Sequence, residues 1–378
     1  MAREHERMSL RRASRDVAIP PRFKSTSSMA AFSKSAGKKA SKLKGLMPGI
    51  MNMGNSSMEE LSPEQQFYSV HAASQPITQN RNRYQDIEPY DRNRVLVGTL
   101  GRNDGRYLNA SWVREMEGKA WWIAAQAPLL TTTHAFLSLL TSLQPNELRP
   151  RVIVQLTPIS ENGIRKADQY IPDTTSSQPL HFFPEPECEN LPHIQVSLIS
   201  ERTVPSAGCI VRKVELKLLS ASAGVGGETV TEITHIDYHG WPDHSIPKNS
   251  NELIGLAQVV ASVNSTPSSS VVPESGPPIL CHCSAGVGRT GTFIAISSLL
   301  RAAGHLPAVT GAPEPRPLAE MFGHLPTSPL GPLPNPGIGE DPIAREVDGL
   351  REQRTTMVQR SEQLGIIYQI MMNVVNAS

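Results

Sequence analysis

Cys283 and Arg289 bracket a run of small residues, Ser284, Ala285, Gly286, Val287 and Gly288. A cysteine thiolate is a nucleophile, and a guanidinium presents a planar fork of donors that fits two phosphate oxygens. A short loop containing glycine can curl until successive backbone N–H groups point inward. Inward N–H groups form an anion cradle, and a helix that starts just beyond adds its positive end. In such a field a thiol ionises at roughly 3.5–7.5 instead of about 8.5. Residues 279–294 therefore read as a buried strand end, a phosphate-shaped socket over a nucleophile, and a helix start. Two blander readings compete. One is a buried inert cysteine, the usual fate of a lone thiol; the flanking glycines and Arg289 weigh against it. The other is a metal site made by Cys281, His282 and Cys283. Their spacing matches no common zinc pattern, and Cys188 and Cys209 lack a Cys-x-x-Cys partner, so no metal or other cofactor is expected.

The elements that must hold this loop lie on either side. The chain has 378 residues, 39% hydrophobic and 19% charged, enough for one large or two modest globular domains. A net charge of +1 provides no overall field to draw in nucleic acid or a membrane surface. Four cysteines without framework spacing point to a reducing compartment. We expect the cytoplasm, with the nucleus as the alternative. No apolar run approaches the roughly 20 residues needed to span a bilayer, and the first residues lack the apolar core of a secretory signal.

Residues 1–58 are basic, rich in serine and poor in aromatics, and read as a disordered basic tail. Glu4, Glu6 and Asp16 count against a mitochondrial transit peptide. Arg11-Arg12-Ala13-Ser14 resembles a substrate site for a basophilic kinase acting on Ser14. Leu61-Ser62-Pro63-Glu64 is a helix start, with Ser62 as cap, and the helix is expected to run into His71 or beyond. Residues 152–156 form a continuous apolar strand suited to a sheet covered on both faces. Two strand-like runs, 211–218 and 229–238, are joined by a glycine-rich connection over 221–227. Leu253, Ile254, Ala257, Val260 and Ala261 mark the buried face of a helix over 249–263, and 265–278 is a Ser/Pro loop. A buried helix is expected over 293–303. Residues 304–341 are proline-rich and aperiodic, and read as an exposed, partly disordered insertion. Asp341-Pro342 opens a helix to about Gln353, and an amphipathic helix through Ile370 and Val374 closes the sequence.

The run 282–291, HCSAGVGRTG, resembles the signature of the cysteine-dependent protein tyrosine phosphatases, and further segments over about 61–376 resemble that family's other motifs in order. The resemblance implies a single α/β domain over 61–376, with a central twisted mixed β-sheet flanked by helices. It makes Cys283 the nucleophile, with Arg289 and the N–H groups of 284–288 holding phosphate. Thr290 would stabilise the departing thiolate, and His282 would buttress the loop. Residues 80–95 resemble the phosphotyrosine-recognition loop. There Tyr84 would flank the substrate ring and set pocket depth, and Asp86 would accept from the peptide backbone. Residues 161–172 resemble a mobile hairpin, in which Glu161 would pair with Arg289 and Lys166 would stand near the acid loop. Residues 240–247, GWPDHSIP, resemble that acid loop, with Asp243 as general acid and Trp241 as hinge anchor. Residues 350–363 resemble the glutamine loop: Arg351 would bond to the phosphate-loop scaffold, and Gln359 and Gln363 would place the hydrolytic water.

Departures are few. Ser111-Trp112 and Ala127 replace residues usual in the scaffold strands, Leu137 follows Phe136 where Trp is common, and Ser245 and Thr356 stand where glycine is found. The implied activity is hydrolysis of phosphotyrosine in proteins through a cysteinyl-phosphate, in signalling, by a tyrosine-specific enzyme of the non-receptor type. A fungal source would fit the Ser/Pro loop and the insertion. Two rivals stand: a dual-specificity or phosphoinositide phosphatase, and an inactive phosphotyrosine-binding module.

Overall fold

The computed structural model describes residues 2–15, 61–98, 106–219, 229–242, 246–247, 249–265, 277–309, 328–334 and 337–377. The remainder of the basic tail, the glycine-rich connection, most of the Ser/Pro loop, the middle of the proline-rich insertion, and Asp243 with Ser245 lie outside the described residues. In chain order the helices are α1 (Ala2–Arg15), α2 (Pro63–Phe67), α3 (His71–Ser74), α4 (Pro76–Gln79), α5 (Thr133–Ser138), α6 (Ser250–Ser265), α7 (Gly288–Ala302), α8 (Pro342–Gln353) and α9 (Ser361–Ala377). The strands are β1 (Ala110–Arg114), β2 (Trp121–Ala125), β3 (Val152–Gln155), β4 (Ser160–Glu161), β5 (Ile164–Arg165), β6 (Leu180–Phe182), β7 (His193–Val204), β8 (Cys209–Leu219), β9 (Thr229–Tyr238) and β10 (Ile279–His282).

Eight of these strands form one mixed sheet in the order β1-β2-β10-β3-β9-β8-β7-β6. The centre, β2-β10-β3-β9, is parallel; β1 and the β9-β8-β7-β6 wing are antiparallel. Strands β2, β3 and β10 are buried along their whole lengths, as apolar runs with both faces covered must be. Alternation sends Trp122, Ala124, Val154 and Cys281 to a core shared with α6, α7, α8 and α9. Ile123, Ala125, Ile153 and Leu280 go to the opposite core, shared with α5 and the β7-β8 hairpin. The expected α/β architecture, a mixed sheet flanked by helices, is the one found.

This topology gathers the site. Because β2, β10, β3 and β9 run parallel, their C-terminal ends open on the same sheet edge, where ligands of open α/β sheets bind. The loop after β10, the β4-β5 hairpin after β3 and the Trp241-Pro242 segment after β9 all start from that edge.

Local chemistry sets the helix ends. Ser62 accepts from Gln65 N and Gln65 Oε1 accepts from Ser62 N, a reciprocal capping box with Pro63 in the first turn. The expected continuation to His71 does not occur. Residues 68–70 instead turn inward, and Tyr68 packs edge-on against Tyr90 at 5.5 Å. Helix α3 restarts at His71, with the His71 and Ala72 N–H groups donating to Asp91 at 2.8 and 3.0 Å. Asp341 caps α8 through the Ile343 and Ala344 N–H groups, as read from the sequence.

A further expectation is corrected. Ala2–Arg15 is a helix, not disordered tail: Arg7, Arg11 and Ser14 are buried along one face. Composition suggested disorder because the segment offers little apolar surface, yet charge can be buried when it is paired. Arg3 and Arg7 pair with Asp348 and Glu352 of α8. The described end of the proline-rich insertion is also seated. Leu330 and Gly331 carbonyls accept from Arg3, and Leu330 packs beside Leu10 and Phe67. Among the described residues no helix is long and apolar enough to cross a membrane.

Candidate active site

The loop from Cys283 to α7 curls as its composition suggests. Gly286 lies at φ 71°, and a Cβ there would meet the Ala125 carbonyl oxygen at 2.0 Å, so only glycine fits. The Gly286 N–H donates to Cys283 Sγ at 3.3 Å. Arg354, fully buried, explains the curl from outside. Its Nε donates to the Gly286 carbonyl at 2.8 Å and its Nη2 to the Ala285 carbonyl at 3.0 Å. Carbonyls drawn outward leave the following N–H groups facing the sulfur. Asn109 and Ser111 hold the rest of the Arg354 guanidinium at 2.8 and 3.2 Å. The loop is also tied to the sheet edge, Ala127 N–H to the Ser284 carbonyl at 3.0 Å.

Burial is the largest influence on the Cys283 thiol and favours the neutral form. It is outweighed by the Thr290 hydroxyl, the Arg289 guanidinium and the Thr290 and Val287 N–H groups, which together bring the pKa below a thiol's ordinary value. The buried Thr290 hydroxyl makes no hydrogen bond of ordinary geometry, and its interaction with the Cys283 and Cys281 thiols lowers the pKa of each. Arg289 is fixed as a fork. Nη2 donates to Glu161 Oε2 at 2.8 Å, and Nη1 donates to Thr157 Oγ1 at 3.0 Å and the Leu156 carbonyl at 3.2 Å. The expected Glu161–Arg289 pair is present.

His282 is buried, and burial first of all lowers its pKa to about 4, so the ring is neutral near pH 7. Nδ1 lies 3.0 Å from the Cys283 carbonyl, which can only accept, so Nδ1 carries the proton. Nε2 then accepts from the Tyr170 hydroxyl at 2.6 Å, and Tyr170 in turn meets His235 Nε2 at 3.3 Å. His282 thus supports the loop from behind.

Tyr84 is half-buried, and its hydroxyl lies 2.9 Å from Ser284 Oγ, which donates to the Lys166 carbonyl at 2.7 Å. Tyr84 therefore stands as a wall over the loop. Lys166 enters through its backbone, and its placement beside the acid loop concerns residues outside those described. Asp86 is exposed at the tip of the same turn. Gln363 is buried and Gln359 exposed, both over Gly288: a Cβ there would meet Gln363 Nε2 at 3.0 Å and Gln359 Oε1 at 3.5 Å. Trp241 is fully buried in the core with α6. Asp243, two residues on, lies outside the described residues.

One role moves. Arg351 does not reach the phosphate loop; its Nε and Nη2 donate to the Met357 and Val358 carbonyls at 2.9 and 2.8 Å and so hold the glutamine loop. The phosphate loop is held by Arg354, because α8 ends at Gln353 and the extended backbone of Arg354 turns its side chain inward. Thr157 and Tyr170 also belong to the site. An arginine repeating three residues after Arg351 was the available sign of Arg354; nothing in the sequence marks the other two.

The family described as "Protein-tyrosine phosphatase" matches residues 78–310. Receptor-type tyrosine-protein phosphatase C of Homo sapiens is 31% identical over 234 residues, covering 62% of this chain and 16% of the relative. Tyrosine-protein phosphatase 3 of Dictyostelium discoideum is 30% identical over 236 residues, 62% of this chain and 21% of the relative. Tyrosine-protein phosphatase Lar-like of Caenorhabditis elegans is 27% identical over 323 residues, 85% of this chain and 12% of the relative. The chain thus spans only a small part of the length of the curated relatives it matches. A solved structure described as the "structural basis of PTPN18 fingerprint on distinct HER2 tyrosine phosphorylation sites" shares the fold. Its TM-score is 0.56 at 21% identity, over 80% of this chain and 86% of that one.

Proposed function

The chain belongs to the protein-tyrosine phosphatase family, and we propose that it hydrolyses phosphotyrosine in proteins through a cysteinyl-phosphate intermediate. The observation that carries this reading is Cys283: a thiol held toward thiolate, facing the loop N–H groups and the Arg289 fork. Arg289 and the N–H groups of 284–288 bind the dianion and the equatorial oxygens of the transition state. The Cys283 thiolate attacks phosphorus, the bond to the tyrosyl oxygen breaks, and Asp243 gives that oxygen its proton. A phenolate leaving group has pKa about 10, so the proton matters. Water placed by Gln359 and Gln363 then attacks the phosphocysteine and gives a proton to Asp243, releasing phosphate and the thiolate, which Thr290 stabilises. Thiolate, arginine and carboxylic acid suffice for these steps without a metal or cofactor.

Residues 61–376 form the catalytic domain in this reading, with the insertion over about 304–341. The substrates are tyrosine-phosphorylated proteins of signalling pathways, met in the cytoplasm, where a reactive thiolate stays reduced. No nucleic acid enters this reading, and no described helix is long and apolar enough to span a membrane. A basophilic kinase acting on Ser14 would require α1 to leave its seat, because Ser14 is fully buried there and its hydroxyl donates to the Arg11 carbonyl at 2.8 Å.

Hydrolysis of phosphotyrosyl and phosphothreonyl versions of one peptide tests the reading. Turnover of the phosphotyrosyl form should exceed the other by at least about 100-fold, because only a long aromatic stem reaches past Tyr84. Comparable rates would establish a dual-specificity enzyme, and binding of the phosphotyrosyl form without turnover would establish a binding module.

A further inference from the structure

Helix α1 reaches both loops that frame the pocket mouth. Arg3, Arg7, Arg11 and Ser14 follow one another along one side at helical spacing. Arg3 donates to both Asp348 oxygens at 3.3 and 3.2 Å, while Arg7 meets Asp348 and Glu352 at 2.6 Å each. Asp348 and Glu352 are themselves one turn apart on α8, so the two helices lock in a single register. Glu352 also accepts from the Tyr68 hydroxyl at 2.7 Å. Arg7 is buried and its partners are partly so, and charges joined in this way cost much when mispaired, which makes the seat specific.

From that seat the helix makes a polar contact with each loop. Near its start, Glu4 Oε1 accepts from the Thr356 N–H at 3.1 Å, on the glutamine loop. Near its end, Arg11 Nη1 donates to the Asp86 carbonyl at 2.7 Å, on the recognition turn. The two lie seven residue steps apart along the helix, about 10 Å, so α1 is a strut of set length between them.

The recognition turn is pinned from its other sides. The Ile87 N–H closes it to the Tyr84 carbonyl at 3.4 Å, Asn109 Nδ2 donates to the Ile87 carbonyl at 2.7 Å, and the Arg83 N–H donates to Gln126 Oε1 at 2.8 Å. The carbonyl of Asp86, an exposed residue of the turn, is taken by Arg11, itself buried. Fixing that carbonyl sets the peptide plane after Asp86 and, with it, the direction of the exposed Asp86 side chain.

We propose that Arg11 is a positioning residue for substrate recognition: by holding the Asp86 carbonyl it aims the Asp86 carboxylate at the backbone of a phosphotyrosyl peptide. The proposal rests on the reading of Asp86 given above. A small aryl phosphate fills the socket without reaching Asp86, so the two substrates separate Arg11 from the chemistry.

The test uses the full chain and measures kcat and KM for a phosphotyrosyl peptide and for a small aryl phosphate. Arg11→Met should raise KM for the peptide about tenfold, in line with loss of a charge-assisted hydrogen bond, with kcat within about twofold. Both constants for the aryl phosphate should stay within about twofold. Arg11→Lys, which keeps a cationic donor, should recover part of the loss and serves if the methionine variant folds poorly. In an Asp86→Ala background the Arg11→Met effect on peptide KM should vanish, because Arg11 acts through Asp86. Equal losses with both substrates, an unchanged peptide KM, or an effect that persists without Asp86 would each overturn the proposal. If the parent protein hydrolyses no phosphotyrosyl peptide, the activity reading fails separately. Arg11 is then judged by peptide affinity of Cys283→Ser protein, where Arg11→Met must weaken binding about tenfold; equal or absent binding overturns it.

Discussion

Cys281 and Cys283 stand two residues apart, both shut away from solvent, and their thiols are pushed in opposite directions. Cys281 lies in β10 between β2 and β3, in register with Ala124 on one side and Val154 on the other. Its surroundings are apolar, and burial, with the nearby charge of Cys283, drives its pKa well above the ordinary thiol value. Cys283 lies just past the strand end, where the backbone has left the ladder and its N–H groups are available. The same burial acts on it, yet Thr290, Arg289 and the loop N–H groups outweigh it. Reactivity at this edge therefore comes from the orientation of backbone and guanidinium donors, not from exposure or from residue type.

The largest test of that contrast is to remove one thiol at a time. Cys283→Ser should bring turnover of every substrate below detection, since a serine hydroxyl stays protonated in the same field. Phosphotyrosyl-peptide binding should survive. Residual turnover would place the nucleophile elsewhere.

Next comes the proton. Asp243→Ala should cost roughly 10²–10⁴-fold in kcat with a phosphotyrosyl peptide, and much less with an aryl phosphate whose phenol is strongly acidic. Equal losses would shift the acid to a neighbour, Asp237 or His239. Asp237 is poorly suited: although burial opposes its ionisation, His239 and Arg212, each 2.5 Å away, bring its pKa down to about 2. It holds no proton to give near neutrality.

A pH series sharpens the comparison directly. The folded Cys283 pKa is depressed, so its contribution to stability is fully present above the unfolded value, about 8.5, and is lost as pH falls through the folded value. Iodoacetate alkylation of Cys283 should therefore inflect below pH 8.5, while Cys281 stays unlabelled at neutral pH, a difference of roughly 100-fold or more in rate. Arg289→Met, which removes the guanidinium that favours the thiolate, should move that inflection upward. Coincident labelling of both cysteines would show that strand burial does not protect Cys281.

The smallest effect belongs to Cys281 itself. Cys281→Ser should leave kcat within about twofold, and recovery from peroxide should match the parent, because a thiol so strongly neutral attacks a sulfenic acid slowly. Markedly poorer recovery would make Cys281 a resolving cysteine.

Much of the fold and of the site is legible in the sequence. The proposed nucleophile Cys283, the cradle and Arg289 are contiguous, so their geometry follows from a short loop that strand and helix hold at either end. Strand β3, the Asp341 cap of α8 and the capping box at Ser62 were legible for the same reason: each depends on neighbours in sequence. The pairing of Glu161 with Arg289 came only by resemblance, since 128 residues separate them and no local rule joins them.

What the tertiary structure alone decided lies where partners are distant. Arg354, not Arg351, turns the loop carbonyls outward, and the choice depends on where α8 ends relative to Gly286. The segment Ala2–Arg15 reads as solvated charge until Asp348 and Glu352 are brought opposite it; composition counts charges, but pairing decides whether they can be buried. Residue types and local spacing determined which chemistry this chain can perform. The parallel centre of the sheet, which brings four strand ends to one edge, decided which residues hold that chemistry in place, because long-range pairing leaves no periodic trace in the sequence.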